Sequence, residues 1–186
     1  STALAEDGAE VRIHGSLSAP LHIVHIATQT DTVAAAIVNI HVAAGAKAVV
    51  VESYVALAAG RNLTVPASYV RLENGAVLTH IRQQLGNATS EHIGQTRVIQ
   101  NANSRYNNLV LSRGGHLSRH HLWLSLDAEG AAASLSGLCW AATGQIADHL
   151  TTTDHNAPRT HSDQNYRSII IGKSTFSGTI NVARDA

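Results

Sequence analysis

The sequence has 186 residues, with 13 Lys+Arg balanced by 13 Asp+Glu, so its formal net charge is zero. At 44% hydrophobic and 4% aromatic it can bury the core of one domain, but it lacks the basic clusters of a nucleic-acid binder and the aromatic surface that stacks bases or sugars. Its apolar runs are too short to span a bilayer, and the lone cysteine, Cys139, excludes an internal disulfide framework and fits a reducing compartment, which makes the cytoplasm the expected location.

No charged segment followed by an apolar one opens the chain, so no secretory signal is read. The chain begins Ser-Thr-Ala and contains no methionine, and the expectation is a core fragment of a longer protein. Near residues 32–36 the spacing allows one helical turn. Beyond it the chain reads as extended runs. Gly45-Ala46 leads into residues 49–54, residues 68–72 form a second run, and Asn74-Gly75-Ala76 leads into residues 77–81. Residues 96–100 follow, then Asn101-Ala102 before residues 109–111. From Leu117 to Leu126, Leu122, Leu124 and Leu126 alternate with Trp123 and Ser125, the period of two of a strand with one buried face. Glu129-Gly130-Ala131 then leads into residues 134–138.

The alanines at 46, 76, 102 and 131 lie 30, 26 and 29 residues apart, and each interval holds two extended runs. Two strands per repeat of this size suits an all-β coil in which each turn gives one strand to each of two facing sheets. An antiparallel sandwich also has short strands at regular spacing. The coil is the favoured reading, with Gly and Asn supplying the positive φ that its corners need.

The candidate chemistry is sparse. Gly172-Lys173-Ser174-Thr175 resembles the end of a phosphate loop, but Arg167 stands where the loop needs glycine, residues 169–171 read as a buried strand, and no helix follows. Of the 12 histidines, His149, His155 and His161 recur every six residues beside Asp148, Asp154 and Asp163, a donor set suited to iron or zinc. An extended segment would spread them over about 20 Å, too far for one ion. The simpler reading has His155 satisfying backbone groups at a corner and the other two on the surface. His22 and His25 should face opposite sides, as should His120 and His121, with His120 inward and in need of a partner. Cys139 reads as a small buried hydrophobe. Neither the paired His-x-His of metal-binding cupins nor a Gly-x-Ser-x-Gly elbow is present. The sequons Asn62-Leu63-Thr64 and Asn87-Ala88-Thr89 are short enough to arise by chance. A β-helix carbohydrate lyase or hydrolase would need converging acids or a basic residue with a metal, usually with aromatics, and the two tryptophans and scattered acids give that reading little. A structural β-helix without cluster chemistry fits the composition equally well.

An ordered series of motifs resembles one family. Leu111-Ser112-Arg113-Gly114-Gly115-His116-Leu117-Ser118-Arg119 is similar to the LxxGGxLSR segment of the SufB/SufD family of iron–sulfur cluster assembly proteins, in the wording of its SufD branch. Glu129-Gly130-Ala131 and Leu135-Ser136-Gly137-Leu138 continue the match. So do Gln145, Asp148, Thr151, Asp154-His155, Pro158, Ser162 and Gln164-Asn165-Tyr166, and then residues 176–182. Earlier, Val51-Glu52-Ser53-Tyr54 and Leu72-Glu73-Asn74-Gly75-Ala76 fit a family strand and corner. Arg167-Ser168 replaces the usual Lys-Gly, and Ser177 the usual Asn.

The resemblance implies a right-handed parallel β-helix between helical terminal regions, here a single core domain over residues 1–186 with about six turns and without those regions. It implies a non-catalytic scaffold subunit that pairs with a SufB-like subunit and recruits the ATPase SufC, whose movement opens the interface where the nascent cluster is built. The family's Cys-x-His segment is missing from the sequence, so the histidine linked to cluster assembly has no counterpart here. No cofactor is expected in this fragment, and an iron–sulfur cluster only transiently in the assembled complex. A solenoid's last turn exposes an unpaired edge unless capped. Phe176, Thr179, Ile180 and Val182 are therefore the expected interface, for a SufB-like partner or, in isolation, for a second copy of this chain.

Overall fold

A computed structural model describes residue 5, residues 7–57 and residues 59–186, so the Ser1-Thr2-Ala3 start lies outside the described residues. These form fifteen strands and no helix: β1 (Asp7–Ile13), β2 (Leu21–Ala27), β3 (Thr32–Ala34), β4 (Ala36–Val42), β5 (Lys47–Ala56), β6 (Asn62–Thr64), β7 (Ala67–Leu72), β8 (Val77–Leu85), β9 (Ser90–Gln100), β10 (Arg105–Arg113), β11 (Leu117–Leu126), β12 (Ala132–Ala141), β13 (Ile146–His155), β14 (His161–Ile170) and β15 (Lys173–Val182). One sheet runs β1-β4-β7-β9-β11-β13-β15, with β3 and β6 beside it, and the other runs β14-β12-β10-β8-β5-β2. The pairings are parallel, and the register places each residue beside one a full turn away, as in Glu52↔Arg82 and His120↔His149. The chain alternates between the sheets and winds as a parallel β-helix of about six turns. That arrangement settles the choice against a sandwich of hairpins.

The period of two in the sequence is the consequence of this geometry. In β11 the residues Leu122, Leu124 and Leu126 are at most 1% exposed, while Trp123 and Ser125 lie on the outer face. Residues late in the strands of the first sheet (Ile40, Leu72, Leu124) meet those early in the strands of the second (Val50, Leu78, Leu135), all buried in one apolar cluster. A coil has no other way to cover its inner faces: each rung is sealed by the rungs above and below it.

The corners repeat as well. Ala46, Ala76, Ser104 and Ala131 each donate an amide hydrogen bond to the carbonyl three residues back, closing turns whose third residue has positive φ: Gly45 (70°), Gly75 (68°), Asn103 (55°) and Gly130 (72°). Adjacent corners are tied by bonds such as Gly45 N to Asn74 O at 2.9 Å and Gly75 N to Ala102 O at 2.8 Å. The structurally equivalent residue in the third repeat is thus Ser104, not Ala102, because Asn103 there takes the place of glycine. Two further expectations are corrected. Residues 32–34 form β3, which satisfies its backbone by pairing with β6, and not a helical turn. Ile169, Ile170 and Ile171 are 60%, 46% and 75% exposed: Ile169 lies beside Trp140 on the outer face, and among the described residues no strand follows β14 in its sheet to cover Ile170.

Candidate functional site

While one side of the coil interior is apolar, the other is polar. The strands of the second sheet end in Glu52 and Tyr54 of β5 and Arg82 and Gln84 of β8, which by parity point inward; those of the first begin with His92 of β9 and His120 of β11. Glu52 is fully buried. Its Oε2 accepts hydrogen bonds from the Tyr54 hydroxyl at 2.6 Å and the Ser68 hydroxyl at 2.8 Å. His80 Nε2 lies 3.4 Å from Oε1 and Arg82 Nε 3.9 Å from Oε2. Burial alone would raise the Glu52 pKa, but His80, then Arg82 and the Tyr54 hydrogen bond outweigh it and hold the carboxyl well below the usual carboxylate range. The ionised pair is therefore enclosed inside the coil.

Arg82 carries the network onward. Its guanidinium lies over the Tyr54 ring, 4.9 Å from the centroid, and donates to Thr96 Oγ1 at 2.7 Å and to His120 Nε2 at 2.6 Å. His120 accepts because it is neutral: burial, reinforced by the positive charge of Arg82, lowers its pKa well below the ordinary value. The same two causes, in that order, bring His92 down to about 3, and burial brings His149 to about 4. Rings extend the series in both directions. His25 stacks on Tyr54 at 4.5 Å, His149 meets Tyr166 edge-on at 5.7 Å, and Tyr166 meets Phe176 at 4.7 Å. A polar and aromatic spine thus runs from β2 to β15.

The histidines singled out from spacing are not brought together. His149 is buried and both its ring nitrogens lack a hydrogen-bond partner, which corrects its expected surface position; it sits at an inward-facing position of β13. His155, at the end of β13, bonds the hydroxyls of Thr160 and Ser162 at 2.8 and 2.9 Å, side-chain groups where backbone ones were expected. His161 begins β14 beyond the corner and is exposed. Among the described residues no three His, Cys, Asp or Glu side chains are grouped to hold a metal ion. The parity readings agree with the coordinates: His22 bonds Ser53 on the outside while His25 turns inward, His120 is buried and partnered, and His121 stacks on Trp123. Cys139 is buried, its thiol 3.3 Å from the Ser168 hydroxyl.

The spine ends at an open edge. Among the described residues β15 pairs with β13 on one side and with no strand on the other, and Phe176, Ile180 and Val182 are 50%, 56% and 67% exposed, with Thr179 beside them also exposed. Sequence against known families decides what kind of coil this is. The model for "SUF system FeS cluster assembly, SufBD core domain" matches residues 25–186. The chain belongs to the SufBD core family. An iron–sulfur cluster assembly SufBD family protein of Synechocystis is 31% identical over 117 residues, 62% of this chain and 26% of the relative. The iron–sulfur cluster assembly protein SufD of Escherichia coli is 28% identical over 178 residues, 90% of this chain and 41% of the relative. This SufBD core spans well under half the length of either. No helix among its described residues is long and apolar enough to cross a membrane.

The sequence motifs that carried the resemblance lie on corners and on strands from β5 to β15 of this SufBD core. Glu52, His80 and Arg82 went unnoticed as a group, as did Tyr106, whose hydroxyl lies 2.9 Å from His80 Nδ1. The available signal was parity: within β8, His80 and Arg82 share a face with Leu78, so burying Leu78 buries them too.

Proposed function

We propose that this chain is the core of a non-catalytic scaffold subunit in SUF iron–sulfur cluster assembly, working in the cytoplasm. It pairs with a SufB-like subunit through the edge of β15 at Phe176, Thr179, Ile180 and Val182. In the complete protein it also recruits a SufC-like ATPase. The cluster is cargo, present only transiently in the assembled complex. Family membership supports the assignment to SUF assembly, and the open terminal rung is the observation that supports the mode of pairing. An edge strand offers unpaired N–H and C=O groups to another strand, and here exposed Phe, Ile and Val side chains flank them. The buried carboxylates Glu52 and Asp148 lie beside guanidinium groups, Glu52 3.9 Å from Arg82 and Asp148 2.7 Å from Arg119, an arrangement that suits architecture better than acid–base chemistry. In isolation the same edge is expected to pair two copies of the chain.

The test is co-purification of the full-length protein with its SufB-like and SufC-like partners. Wild type is expected to recover both. Phe176→Asp/Ile180→Asp, which places charges on an exposed edge and should leave the circular dichroism spectrum unchanged, is expected to reduce recovery of the SufB-like subunit by about tenfold or more, as the desolvation of two carboxylates at an interface requires. Undiminished recovery by the variant, or failure of wild type to recover either partner, would overturn the reading.

A further inference from the structure

The outer face of the second sheet carries an apolar stripe that the edge of β15 does not use. Outward-pointing residues of β2, β5, β8, β10, β12 and β14 stand side by side through the ladder register as Ile26, Val55, Leu85, Arg113, Trp140 and Ile169. The neighbouring row adds Leu111 and Leu138. Leu85, Leu138 and Trp140 are 41%, 41% and 46% exposed, and Ile26 and Ile169 more so. At about 4.8 Å between strands the stripe is roughly 24 Å long. The outer face of the first sheet is of mixed charge instead, with Arg97, Arg119 and Asp154 among its residues. A contiguous exposed apolar patch of this kind marks an interaction surface.

Two features of the stripe select its occupant. It lies on a face and not at an edge: β5, β8, β10 and β12 are each paired on both sides, so their backbone groups are already bonded and a partner meets side chains only. The element that satisfies its own backbone and presents one apolar stripe is an amphipathic helix, and roughly 24 Å corresponds to about 16 helical residues. The charges are one-sided as well. No carboxylate points outward from β5, β8, β10 or β12, whereas Lys47, Arg105 and Arg113 do. β14 adds Arg167 beside Leu138, and Asp163 near the start of the strand. Arg113 lies over the Trp140 ring, 4.8 Å from its centroid. The arginine ion pairs among the described residues fall on Arg12, Arg71, Arg82, Arg119 and Arg159, which leaves Arg113 and Arg167 without a carboxylate. A second copy laid face to face brings further cations and, apart from Asp163, no carboxylate to meet them. A helix with acidic residues flanking its apolar side supplies what they lack.

We propose that the outer face of the second sheet docks an acidic amphipathic helix of a partner protein, whose apolar side covers Leu85, Leu138, Trp140 and Ile169 and whose carboxylates meet Arg113 and Arg167. The surface is separate from the edge of β15, and either can fail without the other. In the 186-residue chain Trp123→Phe leaves Trp140 as the one remaining tryptophan, so its emission reports on the stripe. The probes are two synthetic peptides of about 16 residues, one with leucines three and four apart and glutamates between them, the other with lysine in place of each glutamate. The glutamate peptide is expected to shift the Trp140 emission to the blue and to bind at least about tenfold more tightly than the lysine peptide. Arg113→Glu is expected to remove most of that preference. Leu138→Glu, at an exposed position, is expected to weaken the glutamate peptide by about tenfold or more with an unchanged circular dichroism spectrum, and Leu85→Glu serves if that variant does not fold. No blue shift with the glutamate peptide at millimolar concentration, equal binding of the two peptides, or undiminished binding by a folded Leu138→Glu or Leu85→Glu chain would overturn the proposal. So would a blue shift produced by phosphatidylglycerol vesicles and not by the peptides, which would assign the face to a membrane, or a dimer that Leu138→Glu dissociates, which would assign it to a second copy.

Discussion

Replacing Arg82 with methionine is expected to lower the stability of the coil by about 3–5 kcal/mol, the usual cost of leaving one member of a buried ion pair without its partner. Arg82 is 3% exposed, so water cannot enter to replace it. Its loss leaves Glu52 without the guanidinium beside it, and leaves Thr96 and His120 with each other, at 3.0 Å, in place of the arginine donor they share. Methionine retains most of the stem and its packing, so the change reports charge and hydrogen bonding more than volume. Urea denaturation at neutral pH measures it. The network reading further requires that Glu52→Gln combined with Arg82→Met cost less than the two single changes together, because residues in one buried network do not act independently. Additive losses would mean that Glu52 and Arg82 are stabilised separately.

Acid should unfold this protein well before it unfolds an ordinary soluble domain. His92, His120 and His149 all have pKa values depressed in the folded state, with His92 at about 3 and His149 at about 4. The unfolded chain would protonate them near pH 6.5. Below that pH the unfolded state binds more protons, so stability falls as pH falls. Three protons at about 1.4 kcal/mol per pH unit each give a slope on the order of 4 kcal/mol per unit. Glu52 adds to the loss only below pH 4.5, since its stabilising charge is present above its unfolded pKa and disappears as pH drops toward its folded one. A domain stable by roughly 5–15 kcal/mol is therefore expected to unfold between about pH 4 and 6. Far-ultraviolet circular dichroism and tryptophan fluorescence across that range provide the measurement. A native spectrum retained at pH 4 would show that these histidines reach water in the folded state.

How much of this was legible in the sequence differs between the two sides of the coil. The strands were readable wherever burial follows hydrophobicity, as along Leu122, Leu124 and Leu126, and the corners wherever glycine marks a positive φ. The corner at Asn103 shows the limit, since asparagine adopts the same conformation but the following Ser104 replaces the alanine that defined the repeat. The polar spine was hidden for a physical reason. In β5, Val49-Val50-Val51 is apolar on both faces, so alternation does not say which way Glu52 points. In β8, Ile81 lies on the outer face while His80 and Arg82 point inward, the reverse of what hydrophobicity suggests. The residue that makes burial of Arg82 tolerable, Glu52, stands beside it only through the ladder register, one full turn away in the chain. The exposure of Ile170 and the burial of His149 follow equally from position in the stack of rungs, which residue type does not reveal.

The pairing proposed for this chain requires that a partner strand complete the rung at β15. Hydrogen–deuterium exchange of the 186-residue chain, alone and with a SufB-like partner, probes that rung amide by amide. Alone, at concentrations too low for two copies to pair, the outward-pointing amides of β15, residues 173–182, are expected to exchange rapidly, as edge groups without hydrogen bonds do, and on addition of the partner they are expected to become protected. Unchanged rapid exchange across β15, with protection confined to another surface, would contradict it.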